Sequence, residues 1–274
     1  MGLERLNSGK LEEMATPIVM VHGAFCASWV FEGFEARFRK AGYDTHRPDL
    51  LGHGPADPAA AVANLSMADY ARDIARYCDR FEEPPILIGH SLGGLVAQLV
   101  AARRPVRALV LLAPTAPWGV VVASLDEAIA AFGMQLTAPF WGGAISPDPA
   151  TILSYGLDRA PESVRAATLA RLRPESGRAL AQALAWWSDP FMTTSLGPGP
   201  LKAPVLVFGG EHDRIHAPAS VRRTAERIGG EFRLAAGVGH WLLAEPAADG
   251  LARTILDWLA AELEAPASEG ALAV

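Results

Sequence analysis

Cysteine is scarce in this sequence, with only Cys26 and Cys78 among 274 residues. Small domains that depend on disulfides carry many more, so we expect two reduced, partly buried thiols. Positive charge is not in excess either, because 24 Lys and Arg stand against 30 Asp and Glu, for a formal net charge of -6. This balance excludes a basic surface for nucleic acid, and we expect no nucleic-acid partner.

Long apolar runs are also absent. No stretch approaches the roughly 18 consecutive apolar residues that a membrane-spanning helix needs, so we expect no stable membrane insertion. Residues 1–15 lack the apolar core of a signal peptide. We therefore expect a cytoplasmic protein.

What the sequence does contain is alternation of apolar strand candidates and helical stretches, within a chain that is 50% hydrophobic. This alternation predicts a mostly parallel central sheet with helices on both faces, an α/β fold. The predicted strands are 17–21, 43–47, 85–89, 106–112, 204–209 and 231–235, and the predicted helices include 29–41 and 66–81.

One interval between predicted strands is too long for a simple crossover. Roughly ninety residues separate position 112 from position 204, and Pro and Gly clusters lie at both ends of the interval. We predict a helical cap insertion over 115–200. The remaining predicted units are an α/β core of 17–114 and 201–264, an N-terminal tail or weak edge strand of 1–16, and a C-terminal tail of 265–274.

The most informative motif reads Gly-His-Ser-Leu-Gly, at residues 89–93. It follows a predicted buried strand and precedes a predicted helix, which is the context of a nucleophile elbow. Glycines two residues before and after the serine relieve crowding at such a sharp turn, and the turn directs the first helical amides toward the hydroxyl. Ser91 is therefore the predicted nucleophile, while His90 is predicted to pack.

A serine hydroxyl needs a base, and the base needs an orienting acid. His240 is the predicted base because it follows glycines in a loop after the last predicted strand. Asp213 is the predicted acid because it lies past the carboxyl end of an apolar strand, where open α/β sheets place functional loops. Glu211 is the alternative acid.

The chain order of serine, acid and histidine resembles that of the α/β-hydrolase superfamily, in its serine-nucleophile, esterase-like branch with a helical cap. Two further patterns support the resemblance: His-Gly-Ala at 22–24 and Pro-Asp-Leu-Leu-Gly-His-Gly at 48–54. It covers residues 17–263 and implies the α/β-hydrolase fold. It also implies an oxyanion hole formed by the backbone N–H groups of Ala24 and Leu92, with Phe25 as the alternative to Ala24.

The resemblance becomes narrower at residues 22–29, which are similar to a loop of plant esterases and hydroxynitrile lyases. Dehalogenases and epoxide hydrolases of the same fold use a carboxylate nucleophile at the elbow, and Ser91 argues against both. No cofactor is implied. His212 and His216 flank Asp213 at metal-ligand spacing, but without a clear helix we expect no metal site.

Aromatic residues are dense in the predicted cap, which suggests an apolar pocket over Ser91. The predicted function is hydrolysis of a small to medium apolar carboxylic ester through an acyl-enzyme. Lactone or carbon-carbon bond hydrolysis, a lipid-surface enzyme and a non-catalytic receptor for a small ligand remain alternatives, and the oligomeric state is open. The candidate substrate-binding residues are Phe25, Trp118, Met134, Trp141, Trp186, Trp187 and Trp241.

Overall fold

The structure is a computed structural model that describes residues 15–121, 124–125, 142–243 and 247–264. Within these ranges, none of the helices combines the length and the apolar character needed to cross a membrane. The predicted tails lie almost entirely outside the described residues.

The central sheet has six parallel strands in the described part of the chain, in the order β2-β1-β3-β4-β7-β8. The predicted α/β fold with a mostly parallel sheet is therefore confirmed. The strands are β1 (Pro17–Val21), β2 (Asp44–His46), β3 (Ile86–His90), β4 (Ala108–Leu112), β7 (Val205–Gly210) and β8 (Glu231–Ala235), and a separate antiparallel pair is formed by β5 (Ala144–Ile145) and β6 (Glu175–Ser176).

The strand order reverses between β1 and β3. The chain leaves β1 for the edge strand β2, returns past β1 to β3, and then builds the other half of the sheet. Connections on the two sides of such a point run in opposite directions and leave a crevice at the carboxyl ends of the strands, where ligands bind in open α/β sheets. The segments that follow β1 and β3 contain Ala24 and Ser91.

The sheet is buried on both faces. All residues of β1, β3, β4 and β7 are buried, as expected for parallel strands covered by helices. Alternate residues of β1 enter different apolar clusters, with Ile18 and Met20 on one face and Val19 and Val21 on the other. The helices are α1 (Glu32–Lys40), α2 (Met67–Cys78), α3 (Leu92–Ala101), α4 (Glu162–Leu169), α5 (Gly177–Leu184), α6 (Pro218–Ile228) and α7 (Ala247–Glu264).

The ends of two of these helices are determined by capping residues. Ser66 caps α2 with a reciprocal capping box, in which its side chain accepts from the Asp69 amide and the Asp69 carboxylate accepts from the Ser66 amide. Helix α6 begins with Pro218 and ends at Gly229, whose φ of 73° is readily adopted only by glycine.

The intervening segment, residues 113–204 between β4 and β7, contains β5, β6, α4, α5 and short helical turns at Pro149–Thr151, Ile152–Gly156 and Trp186–Ser188. Its described helices are short, and residues 122–123 and 126–141 lie outside the description. The role of this segment as a cap remains a prediction.

A buried polar cluster joins this segment to the core. Glu175 in β6 is fully buried, and its carboxylate accepts hydrogen bonds from the Tyr70 hydroxyl at 2.6 Å and the Ser176 amide at 2.7 Å. His53, also fully buried, lies with Nε2 3.2 Å from the other carboxylate oxygen. Burial alone raises the pKa of Glu175, but His53 and the hydrogen bonds outweigh burial and hold it below its ordinary value.

Replacing Tyr70 by Phe tests this connection. Because the substitution removes a donor from a buried carboxylate, we expect the free energy of unfolding to fall by about 1–3 kcal/mol, measured by urea denaturation. Tyr77→Phe is the matched control, since the Tyr77 hydroxyl is only partly buried and lies 3.3 Å from His46. Equal effects of the two substitutions would show that the hydrogen bond from Tyr70 to Glu175 adds nothing to the free energy of unfolding.

Candidate active site

Ser91 lies at the turn between β3 and α3 with φ 53° and ψ -122°, a backbone conformation that is rare for a non-glycine residue. Hydrogen bonds fix this strained residue on both sides. Its N–H donates to the carbonyl of Leu112, and its carbonyl accepts from the amides of Gly94 and Thr115. Strain maintained in this way is typical of functional residues.

Glycines around the turn permit very close backbone packing. A Cβ atom on Gly93 would lie 2.2 Å from the carbonyl oxygens of both Val21 and His22, and one on Gly89 would lie 2.5 Å from the Gly93 carbonyl oxygen. No side chain fits at these distances. Helix α3 therefore approaches the end of β1 closely enough to bring residues 22–24 beside Ser91.

His240 connects Ser91 with Asp213, although the three residues are far apart in sequence. Its Nε2 lies 3.0 Å from the Ser91 hydroxyl oxygen, and its Nδ1 lies 2.9 Å from a carboxylate oxygen of Asp213. All three residues are buried, with relative exposures of 9% or less. The structure thus brings the predicted nucleophile, base and acid into one hydrogen-bonded chain, the arrangement that nucleophilic catalysis requires.

Asp213 is held from both sides. One oxygen faces His240, and the other accepts hydrogen bonds from the amides of Ile215 and His216 at 2.8 and 2.9 Å. Burial raises the pKa of Asp213, but the charge and hydrogen bond of His240 and further interactions with His216 lower it more, so its pKa lies below the ordinary value. The carboxylate is therefore ionised at neutral pH.

Glu211, the alternative acid, lies elsewhere. Its side chain is 45% exposed, and its carboxylate accepts a hydrogen bond from the Gly237 amide. It therefore supports the loop that leads to His240, whereas Asp213 contacts the imidazole directly.

The predicted oxyanion amides belong to Ala24 and Leu92, which both line the cavity beside Ser91. Leu92 is the first residue of α3, where amides have no partner within the helix. Within the described ranges neither amide donates a hydrogen bond, so both are available to an oxyanion. Phe25, the alternative to Ala24, also lines the cavity and has a φ of 62°, which shows how sharply this loop turns.

His22 supports this loop, a role that is not predicted from the sequence. Its Nδ1 donates to the Gly23 carbonyl and its Nε2 accepts from the Leu50 amide, both at 2.9 Å. Burial, aided by nearby His53, lowers the pKa of His22 to about 4, so the ring is neutral and can accept the Leu50 hydrogen bond. The His-Gly-Ala pattern was the only signal for this role.

His90, predicted to pack, is buried and its Nε2 donates to the carbonyl oxygen of His240 at 3.1 Å. Its ring lies edge-to-face with Trp241. Burial and the neighbouring His240 lower the pKa of His90 to about 3, so this ring is also neutral. His90 therefore supports the loop that carries the candidate base.

A cavity of about 70 Å³ opens beside Ser91 and His240. Two predicted substrate-binding residues, Phe25 and Trp241, line it. Six of the 18 described lining residues are leucines or isoleucines from the intervening segment and the loop after β7, and no local sequence pattern marks them as lining a cavity. These wall residues are Ile152, Leu157, Leu172, Leu180, Leu184 and Ile215.

Three more of the predicted substrate-binding residues, Trp118, Trp186 and Trp187, are not among the described residues that line this cavity. Trp118, Trp186 and Trp187 instead pack on one another, with ring centroids 5.3 and 6.0 Å apart, and Trp187 is 64% exposed. These rings thus pack edge-to-face between the first residues of the intervening segment and the turn at 186–188. Met134 and Trp141 lie outside the described residues.

His212 and His216, which have metal-ligand spacing, occupy different environments. His216 is buried, and its Nε2 lies 2.9 Å from the Thr115 hydroxyl oxygen, whereas the His212 side chain is 41% exposed. No group of three or more possible His, Cys, Asp or Glu ligands occurs in the ranges that the structure covers.

Comparison with known proteins relates this geometry to a family. Residues 18–254 match the model of a family described as an alpha/beta hydrolase family. A "Magnesium-chelatase 30 kDa subunit" from Rhodobacter capsulatus is 28% identical over 255 residues, which are 88% of this chain and 86% of that protein. A pyrethroid hydrolase from Sphingobium wenxiniae is 34% identical over 90 residues, only 33% of this chain and 32% of that relative.

Solved structures show the same fold at low sequence identity. A methylesterase from Arabidopsis superposes with a TM-score of 0.68 at 18% identity, covering 90% of this chain and 99% of that one. A pyrethroid hydrolase from Sphingobium faniae superposes with a TM-score of 0.68 at 21% identity, covering 91% of this chain and 99% of that one.

The close packing at the Ser91 turn gives a direct test. We expect Gly93→Ala to prevent stable folding or to lower the midpoint of thermal unfolding strongly, because its Cβ would overlap two carbonyl oxygens. Gly250→Ala is the matched control, since that helical glycine has open space around its Cβ position. This substitution should raise the free energy of unfolding by about 0.5–1 kcal/mol. A stable Gly93→Ala variant would contradict the packing argument.

Proposed function

The chain belongs to the alpha/beta hydrolase family, and from that premise we propose that it is a serine esterase acting on a small to medium apolar carboxylic ester. The observation that carries this proposal is the buried hydrogen-bonded chain from Ser91 through His240 to Asp213, with distances of 3.0 and 2.9 Å, at the edge of an apolar cavity. Relatives and structural neighbours named as esterases or hydrolases support it.

The proposed mechanism has two steps. His240 takes the proton of Ser91 as the hydroxyl oxygen attacks the ester carbonyl, and the amides of Ala24 and Leu92 hold the negatively charged oxygen of the tetrahedral intermediate. The intermediate collapses to an acyl-enzyme as His240 gives the proton to the leaving alcohol. Water then attacks the acyl-enzyme with His240 again as the base, and His240 returns the proton to the Ser91 oxygen as the acid leaves.

Asp213 fixes the orientation and the tautomer of His240, so that an unprotonated nitrogen faces Ser91. Because its carboxylate is ionised, Asp213 accepts a hydrogen bond from the Nδ1–H group of His240, which leaves Nε2 free to take the serine proton. The same negative charge stabilises the imidazolium that forms during attack. The neutral neighbour His90 adds no opposing charge.

The intervening segment supplies much of the proposed substrate pocket. Leu172, Leu180 and Leu184 line the cavity from this segment, so we propose that residues 115–200 act as a cap that excludes water from the acyl group. The aliphatic wall offers no charged partner for a polar acyl chain. The small volume, about 70 Å³, favours short to medium chains.

Ser91→Ala is the first test of the mechanism. We expect kcat/KM for p-nitrophenyl esters to fall roughly a thousandfold or more with little change in unfolding temperature. A fluorophosphonate should label the native protein at Ser91, as shown by peptide mapping, and should not label the variant. Ser188→Ala is the control, because Ser188 lies in a surface turn away from the cavity.

The outcomes separate the alternatives. Near-normal turnover by Ser91→Ala, or labelling at another residue, would overturn the assignment of the nucleophile. Labelling of Ser91 without turnover of any ester would overturn the esterase proposal, and would direct attention to lactones, carbon-carbon bonds or a receptor role.

Chain length tests the pocket. In a series of p-nitrophenyl esters from acetate to decanoate, we expect kcat/KM to be highest at short to medium length and to fall for decanoate. Leu180→Ala should move the optimum to longer chains because the smaller side chain enlarges the cavity. Leu196→Ala is the control, since Leu196 is half-buried and does not line the cavity. An optimum that Leu180→Ala leaves unchanged would exclude this wall as the acyl pocket.

A further inference from the structure

Two polar side chains interrupt the aliphatic wall of the cavity without any part in the proposed proton transfers. Thr115 follows β4 and His216 follows Asp213 by three residues, and both line the cavity. Their relative exposures are 3% and 5%. Burial of polar groups beside leucines and isoleucines is unfavourable unless they have hydrogen-bond partners, so a pair in this position needs an explanation.

The pair is fixed to the backbone of the candidate active site. The Thr115 hydroxyl oxygen and His216 Nε2 are 2.9 Å apart. The Thr115 amide donates to the carbonyl of Ser91, and the His216 amide donates to the Asp213 carboxylate. The His216 ring also lies edge-to-face with that of His240, with centroids 5.2 Å apart. Both side chains therefore have fixed positions relative to the reacting serine.

The Thr115 hydroxyl has hydrogen-bonding capacity beyond its contact with His216. A hydroxyl can donate once and accept twice. If Nε2 of His216 carries the proton, the Thr115 proton remains available to donate, and if Nε2 accepts, the oxygen of Thr115 remains available to accept. In both cases Thr115, which lines the cavity, keeps the capacity for a second hydrogen bond.

We propose that Thr115, oriented by His216, binds a second oxygen of the substrate, distinct from the carbonyl oxygen held by the backbone amides. The site then selects oxygenated esters, with a hydroxyl, keto or ether oxygen near the scissile bond, over pure hydrocarbon esters of the same size. This inference rests on the proposed function, because it concerns specificity at the same site. A polar site that hydrogen-bonds its substrate discriminates against an analogue that lacks the partner atom.

The test compares kcat/KM for matched ester pairs by pH-stat titration. Methyl 3-hydroxybutyrate and methyl acetoacetate are each compared with methyl butyrate for the acyl side, and 2-methoxyethyl acetate is compared with butyl acetate for the alcohol side. In at least one pair, Thr115→Val should lower the ratio of kcat/KM for the oxygenated ester to kcat/KM for the hydrocarbon ester by about three- to tenfold. This factor corresponds to the loss of one hydrogen bond. Thr115→Ser, which restores the hydroxyl, should restore the ratio.

Thr194→Val is the matched control, because the Thr194 hydroxyl is fully buried and does not line the cavity. It should leave every ratio unchanged. If Thr115→Val lowers activity equally on both members of every pair, or changes nothing, the inference is wrong and Thr115 is structural. If Thr115→Val does not fold, His216→Phe and its conservative partner His216→Gln provide the same comparison.

Failure of the proposed function can be distinguished from failure of this inference. If no ester is turned over and Ser91 is not labelled, calorimetric titration of the intact protein with methyl 3-hydroxybutyrate and methyl butyrate still measures the preference for oxygen. Tighter binding of the oxygenated compound that Thr115→Val abolishes supports the inference. Equal binding of the two compounds to both proteins overturns it.

Discussion

The close approach of helix α3 to the carboxyl ends of β1 and β3 is the constraint on which the rest of the site depends. Gly89 and Gly93 leave no room for a Cβ atom, so the backbone after β1 and the turn after β3 meet at the reversal point of the sheet. Two consequences follow from this contact. Ser91 adopts a positive φ that exposes its hydroxyl to the cavity, and the loop that contains Ala24 lies beside it.

Burial, neighbouring charges and hydrogen bonds then determine which groups near Ser91 are ionised. Asp213 stays ionised because amides and His240 surround its carboxylate, whereas burial keeps His22 and His90 neutral. The neutral rings act as hydrogen-bonding supports for two loops, and a single carboxylate faces the candidate base. A second buried carboxylate, Glu175, fastens the intervening segment to the core through Tyr70 and His53.

Much of this organisation could be predicted from the sequence, and the reason is that it depends on local constraints. Continuous apolar runs identify parallel buried strands, so the predicted strand 17–21 coincides with β1. The predicted strand 231–235 coincides with the edge strand β8, although it alternates polar and apolar residues and is largely unburied. The predicted strand 43–47 shortens to Asp44–His46 because strand ends depend on pairing with a neighbour. The glycines around Ser91 indicate a sharp turn because only glycine fits there.

The lining of the cavity could not be predicted, because it depends on which side chains meet in space. Tryptophan density at 118, 186 and 187 predicts a pocket, yet these rings pack edge-to-face on one another, while ordinary leucines such as Leu180 line the cavity. The pairing of Thr115 with His216 likewise joins residues 101 positions apart. The sequence by itself therefore determined the fold, the elbow and the identity of the three candidate catalytic residues, because each leaves a local pattern of glycine, charge or hydrophobicity. Only the tertiary structure decided the shape and polarity of the pocket, because packing of apolar side chains is non-directional and leaves no pattern along the chain.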